Sequence, residues 1–198
     1  MTIIGLTGSF ASGKTEAAKI FERLGAEVFD ADKTAKGVIE RGKPTYNALV
    51  KLFGEEYLKK DGSVDRKKLA GHVFTHPADL KKLNILTHPA VIFECLKFIR
   101  KFRQRKGMGV LDIPLLFESK MQGLADVTVV VKAAPKTILS RCEKKGISRD
   151  RARNILASQW PVEKKARLAD FVIRNDGSLE QLENEVKKIL QLIKKGER

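Results

Sequence analysis

GLTGSFASGKTEA, Gly5 to Ala17, is the stretch whose reading decides the fold. It follows Met1-Thr2-Ile3-Ile4, so Thr2 to Thr7 form a nearly continuous apolar run, the pattern of a short strand covered on both faces of a parallel sheet. Next comes GSFASGKT, which fits G-x-x-x-x-G-K-[ST] in full and stands between a strand and a helix, where such a loop has to stand. Glycines there let backbone N–H groups converge on phosphate oxygens, and the new helix points its positive end at the same charge. Lys14 can reach the β and γ phosphates and Thr15 can hold a magnesium ion. Gly8, Ser9, Phe10, Ala11, Ser12, Gly13, Lys14 and Thr15 are therefore the expected ATP-binding residues.

Working outward, the helix runs from about Lys14 to Leu24, with Ala17, Ala18, Ile20, Phe21 and Leu24 on its apolar face and Gly25 as its stop. AEVFDAD, 26 to 32, reads as the next strand. Later strands are read in GMGVLDIP (107–114, ending at Asp112), DVTVVVKA (126–133) and DFVIRN (170–175). Residues 33–106 read as helices and turns: Pro44 can open one helix, Asp61-Gly62 marks a turn, and Pro89 permits another helix. Residues 135–168 form a basic helical hairpin turning at Gly146, and SLEQLENEVKKILQLIKK is an amphipathic helix that Ser178 can cap. The expected fold is α/β: three layers of the P-loop NTPase type around a mostly parallel five-stranded sheet, with a helical acceptor-binding insertion and a helical lid. Its divisions are 1–32 (core with the phosphate loop), 33–106 (insertion), 107–134 (core), 135–168 (lid) and 169–198 (last strand and C-terminal helix).

Composition sets the bounds. In 198 residues, 39 Lys and Arg face 24 Asp and Glu, a formal charge of +15 that attracts phosphates of any kind. No aromatic-laced RNA motif, Cys/His finger or helix-turn-helix signal directs that charge to nucleic acid. The basic run KFIRKFRQRK (97–106) reads as a solvated helix face. The lack of a long apolar run and of a secretory N-terminus points to a cytoplasmic protein without a membrane partner. Cys95 and Cys142 read as reduced or buried thiols, and His72, His76 and His88 show no metal spacing.

A held triphosphate needs an acceptor. An insertion after the second strand and an Arg-rich hairpin after the fourth both fall at the carboxyl ends of strands, where open α/β sheets bind ligands. That layout favours a kinase, with a lid that excludes water, over a hydrolase. Asp32, read at the end of the second strand, can take a proton from an attacking hydroxyl or orient it. Asp30 faces the other way. Asp112 is either a Walker B carboxylate ordering magnesium through water or a structural cap. Arg141 is the lid candidate for neutralising charge on the moving phosphoryl group, with Lys145 one turn further along. Taken bare, Arg66 reads as a surface residue, His88 stands between two helices before Pro89, and Trp160 either packs at a hinge or stacks on adenine.

With these residues in hand, the chain resembles the dephospho-CoA kinase family nearly end to end. The likeness rests on GLTGSFASGKT, LGAEVFDAD, KLFGEEYL, DGSVDRKKL, THPAV, DIPLLFE, the lone Gln159 and ADFVIRN. It implies ATP-dependent phosphorylation of the ribose 3′-hydroxyl of dephospho-CoA, giving CoA and ADP, the last step of coenzyme A biosynthesis, with Mg2+ as cofactor and no obligate protein partner. By the family pattern Asp32 lies beside the attacking hydroxyl, and Arg66 and His88 lie in the acceptor region. Pro114, Leu115, Leu116 and Glu118 form an acceptor wall, and Arg141 with Lys14 and Asp32 carries the chemistry. The family favours Gly-Ile-Gly where this chain has Ser9-Phe10-Ala11, so Ala11 is expected in an ordinary backbone conformation unless strain is accepted. Ile138 and Lys145 depart from the family's lid pattern, where glutamine and arginine are usual. The alternatives are another nucleoside monophosphate or small-molecule kinase of the same fold, a nucleic-acid-dependent NTPase, and a protein that holds ATP without turning it over.

Overall fold

A computed structural model describes residues 2–104 and 107–197. The end of the basic run at 97–106 and the close of the insertion at residue 106 fall on Arg105 and Lys106, outside the described residues. The chain divides into two units: Ala31–Arg100, and the remainder on either side of it.

The larger unit is built on β1 (Thr2–Gly8), whose six residues from Ile3 on are all buried. β2 (Glu27–Asp30), β3 (Met108–Asp112), β4 (Val127–Lys132) and β5 (Phe171–Arg174) complete a sheet in the order β2-β3-β1-β4-β5. Every pairing is parallel, with Leu6 opposite Asp112, Gly8 opposite Val131 and Asp30 opposite Asp112. The first strand is thus central, and connections leave it toward both edges. That arrangement opens a crevice at the carboxyl ends of the strands.

One face of the sheet is covered by α1 (Lys14–Arg23) and α9 (Leu179–Lys195). Ile4, Leu6, Val110, Val129, Val131 and Ile173 meet Ala17, Ile20 and Phe21 of α1 and Leu182, Val186 and Ile189 of α9 in one buried cluster. Burying each such side chain contributes about 1.5–3 kcal/mol. On the other face Gly5 leaves room for Leu116, whose Cδ2 would stand 2.9 Å from a Cβ there. α6 (Pro135–Lys144), α7 (Arg149–Ala157) and α8 (Val162–Leu168) fill the span read as a hairpin. Gly146 makes the expected turn at φ +70°, and Pro161 at the cap of α8 separates off a third helix.

The smaller unit is helical: α2 (Ala31–Val38), α3 (Pro44–Phe53), α4 (Arg66–Thr75) and most of α5 (Pro77–Arg103). Two expectations change here. The second strand ends at Asp30 and turns straight into α2, so Asp32 sits in the first turn of a helix rather than at a strand end. A carboxylate is favoured at that position by the helix dipole. Pro89 opens no new helix but lies within the 27-residue α5, which also contains His88. A proline frees the carbonyl four residues earlier. Pro89 and that residue, Ile85, are both exposed, so the gap in the hydrogen-bond ladder falls on the exposed side of a helix that continues through it. Cys95 and Cys142 are buried free thiols, and burial pushes the Cys95 thiol up to about 11. Among the described residues no helix is long and apolar enough to cross a membrane.

α9 starts with a capping box: Ser178 Oγ accepts the Gln181 N–H at 3.2 Å while Gln181 Oε1 accepts the Ser178 N–H at 2.9 Å. Ser178→Ala is expected to cost about 1 kcal/mol. In a chain of this size that lowers Tm by about 2–4 °C; an unchanged melting curve would remove the cap from the account.

Candidate active site

The loop between β1 and α1 has its shape imposed by close neighbours. A Cβ at Gly8 would stand 2.5 Å from the Val131 carbonyl oxygen, and one at Gly13 would stand 2.0 Å from Asn175 Nδ2. Gly13 is also left-handed, at φ +94°. Ala11 adopts φ +56°, so the ordinary conformation expected of it is not the one found. Its methyl packs with Phe10 against Ala133, Ile138, Cys142 and Ala152 at the base of α6 and α7. That contact offsets part of the roughly 1–2 kcal/mol cost of the left-handed backbone.

Three groups converge on the loop from other elements. Asn175, just past β5, donates from Nδ2 to the Ser12 carbonyl at 2.8 Å. Arg141 on α6 donates to the same carbonyl at 3.1 Å and to the Asn175 carbonyl at 2.9 Å. Gln159, between α7 and α8, accepts the Phe10 N–H on Oε1 at 3.1 Å. Lys14 pairs with Asp112 at the end of β3, and both side chains are largely buried. The hydroxyls of Ser9 and Ser12 are buried without a hydrogen-bond partner. A buried polar group without a partner costs free energy unless a ligand or water completes it. Thr15 is exposed in the first turn of α1. The result is a cradle of amides, hydroxyls and cations at the carboxyl edge of the sheet, the chemistry that holds a polyphosphate.

Lys14, Asp112, Arg141 and the residues Gly8 to Thr15 thus come together within one unit. Asp32, Arg66 and His88 lie in the helical unit and are all exposed. There Arg66 donates to the Lys36 carbonyl at 2.9 Å and to Glu40 at 3.3 Å. Of the 114–118 stretch, Leu115 is exposed and Leu116 is buried, and the Pro114 carbonyl accepts the Thr7 hydroxyl at 2.8 Å. Glu118 is turned toward Lys165, 2.7 Å away. Lys145 is exposed at the end of α6. Trp160 has the Lys164 ammonium 3.6 Å from its ring centre, a cation–π contact.

Sequence reasoning gave no role to Asn175, although a polar residue at the carboxyl end of a strand in this fold was a usable signal. It also passed over Asp176, which accepts the Ala134 N–H at 2.6 Å and the Thr137 hydroxyl at 2.8 Å and so fixes the start of α6. The Ala134 N–H first, then the Thr137 hydroxyl, hold its carboxyl below the ordinary range. A cavity of about 630 Å³ lies beside the loop, lined by Ser9, Pro135, Ile138, Gln159, Trp160 and Arg174 among others.

Sheet order, loop and converging cations define the class as a P-loop kinase. The family model described as dephospho-CoA kinase matches residues 2–181. A dephospho-CoA kinase of Bacillus cereus (strain ATCC 10987 / NRS 248) is 43% identical over 192 residues, covering 96% of each chain. One from Carboxydothermus hydrogenoformans is 41% identical over 194 residues, covering 96% of this chain and 94% of its own. The chain therefore belongs to the dephospho-CoA kinase family. Among solved structures, TT1252 from Thermus thermophilus superposes with a TM-score of 0.81 at 33% identity, over 96% of both chains. Dephospho-CoA kinase from Campylobacter jejuni gives 0.74 at 29% identity, over 98% of both.

Gly13→Ala is expected to destabilise the protein by about 2–5 kcal/mol, from left-handed strain together with a broken Asn175–Ser12 bond. The melting temperature should fall by several degrees. A variant as stable as the parent would show that the loop can move away from Asn175.

Proposed function

We propose that ATP lies in the Gly8–Thr15 cradle with its γ-phosphoryl group at Lys14, and that Asp32 orients the 3′-hydroxyl of dephospho-CoA for attack on it. The reaction is that of the family, the ATP-dependent phosphorylation of dephospho-CoA. The observation that carries this reading is the pair of buried, unpartnered hydroxyls of Ser9 and Ser12 in a loop already supplied with two cations.

The hydroxyl oxygen forms a bond to the γ-phosphorus while the bond from that phosphorus to the β–γ bridging oxygen breaks. The hydroxyl proton passes to the Asp32 carboxylate, and ADP leaves with the bridging oxygen. Little covalent chemistry is asked of the protein, so holding the two oxygens in line and neutralising the equatorial charge are its main tasks. Lys14, released from Asp112 to the phosphates, supplies charge from inside the cradle. Arg141 supplies it from α6 while its bonds to Ser12 and Asn175 keep the guanidinium in place. Arg66, His88 and the exposed Leu115 are the proposed acceptor contacts, cationic or polar for phosphate and apolar for the pantetheine arm.

Magnesium suits this donor set. Among the described residues no cluster of three or more His, Cys, Asp or Glu could cage an ion. Magnesium that travels with ATP needs no cage, because phosphate oxygens and water fill most of its shell. Thr15 would hold it directly and Asp112 through water. Bound there, the ion would neutralise charge on the β and γ phosphates.

The test is a coupled measurement of ADP and 3′-phosphorylated product with dephospho-CoA as acceptor; ADP without product would refute the reading. Asp32→Asn is expected to lower kcat by at least about 100-fold while the Kd for ATP stays within about threefold. Equal losses in both would remove Asp32 from the proposed role. Lys14→Ala should lower kcat and weaken ATP binding together, since the ground-state and transferring phosphates share that cation.

A further inference from the structure

Among the described residues Lys165 is the only lysine or arginine that is buried, with 0% of its surface exposed. Its ammonium lies 2.7 Å from Glu118 Oε1 and 3.1 Å from the Pro114 carbonyl oxygen. That carbonyl also accepts the hydroxyl of Thr7, the residue before the phosphate loop. Glu118 Oε1 also accepts the Trp160 N–H at 3.0 Å, and the neighbouring Gln159 holds the Phe10 N–H. Four segments therefore meet at one buried ion pair: the end of β1, the loop leaving β3, the junction of α7 with α8, and α8 itself.

Stability alone does not account for this pair. A well-packed apolar couple at a buried position is as stable as an ion pair or more so, because both charges must leave water. What a buried pair supplies is directionality: the ammonium is satisfied only while carboxylate and carbonyl keep their places. We propose that Lys165 is a positioning residue for phosphoryl transfer. With Glu118 it pins the exit of β3 and the return limb of the lid to the end of β1, and so fixes where the phosphate loop begins. Glu118 then serves the site from beneath rather than as an acceptor contact. Nearby charges are engaged or directed elsewhere. Glu163 pairs with Lys132 of β4, Lys164 covers Trp160, and Asp112 of β3 pairs with Lys14. Arg167 on α8 and Lys120 past Glu118 are exposed.

The inference rests on the transfer reaction above, so the parent is measured first: absence of turnover there would overturn both readings, whereas an active parent makes the variants decide this one alone. Lys165→Met, Glu118→Gln and the double variant are then compared in kcat, ATP Kd and thermal melting. Each single variant is expected to lose on the order of 10- to 100-fold in kcat while its ATP Kd stays within about threefold. Lys165→Met leaves the Glu118 carboxylate without its ammonium, and Glu118→Gln leaves the Lys165 ammonium without its carboxylate. The double variant carries neither charge. Its kcat should sit several-fold below the parent, with a melting temperature no lower and an unchanged ATP Kd. Single variants that keep the parent's kcat would overturn the proposal. So would a double variant with parental kcat, which decides the matter even if the single variants fail to fold.

Discussion

The carbonyl oxygen of Ser12 is the point on which the phosphate loop depends. It takes two donors, the Asn175 amide at 2.8 Å and the Arg141 guanidinium at 3.1 Å. Those donors come from the end of β5 and from α6, so one backbone group ties the loop to the far edge of the sheet and to the first helix after β4. A loop whose amides must point at a ligand cannot satisfy its own carbonyls through regular secondary structure. Its unpaired acceptors have to be met from outside. Gly13 follows from this constraint, because the Asn175 amide occupies the space a side chain would need.

The same constraint organises the charge. Most of the ion pairs are exposed, as between Lys19 and Glu16 or Arg153 and Asp150, and such pairs contribute little. Among the described residues the pairs with one or both partners buried are Lys14–Asp112 and Lys165–Glu118, and both stand near the carboxyl ends of β1 and β3. The formal +15 is thus a general attraction for anionic substrates, while the cations that set geometry are few and held. Arg141 belongs with them, since it touches the loop through the Ser12 carbonyl and keeps its charge beside it.

How far the sequence was legible follows from the range of the forces involved. β1, the loop and α1 were readable because an apolar run, glycines and a helical period are all local signals. The parallel sheet was readable for the same reason, strand by strand. Where tertiary context competes with a local signal, the local reading failed. Pro89 argues for a break, yet a 27-residue helix carries it through on its exposed side. DAD reads as strand, yet pairing stops where Asp30 meets Asp112 and the chain turns into α2. Lys165 carries no local signal, since its carbonyl partner lies 51 residues away; the strand-end position marks Asn175 as polar at the right edge, but its partner, 163 residues away, is beyond any spacing rule.

Ala11 shows what sets the balance at the centre of the site. A glycine there would relax the backbone at φ +56°, but it would also remove a methyl group packed against the α6–α7 cluster. The strain is about 1–2 kcal/mol, and the burial of one methyl recovers about 0.8 kcal/mol. The remainder, about 0.2–1.2 kcal/mol, is comparable to the roughly 0.4–1 kcal/mol that a glycine would cost by enlarging the unfolded ensemble. Alanine at this position therefore comes close to neutral in stability while keeping the loop in contact with α6 and α7. Phe10 makes the same contact from the adjacent position. Two side chains thus couple the loop to α6 and α7, and the loop proposed to receive ATP has its shape set partly by those helices.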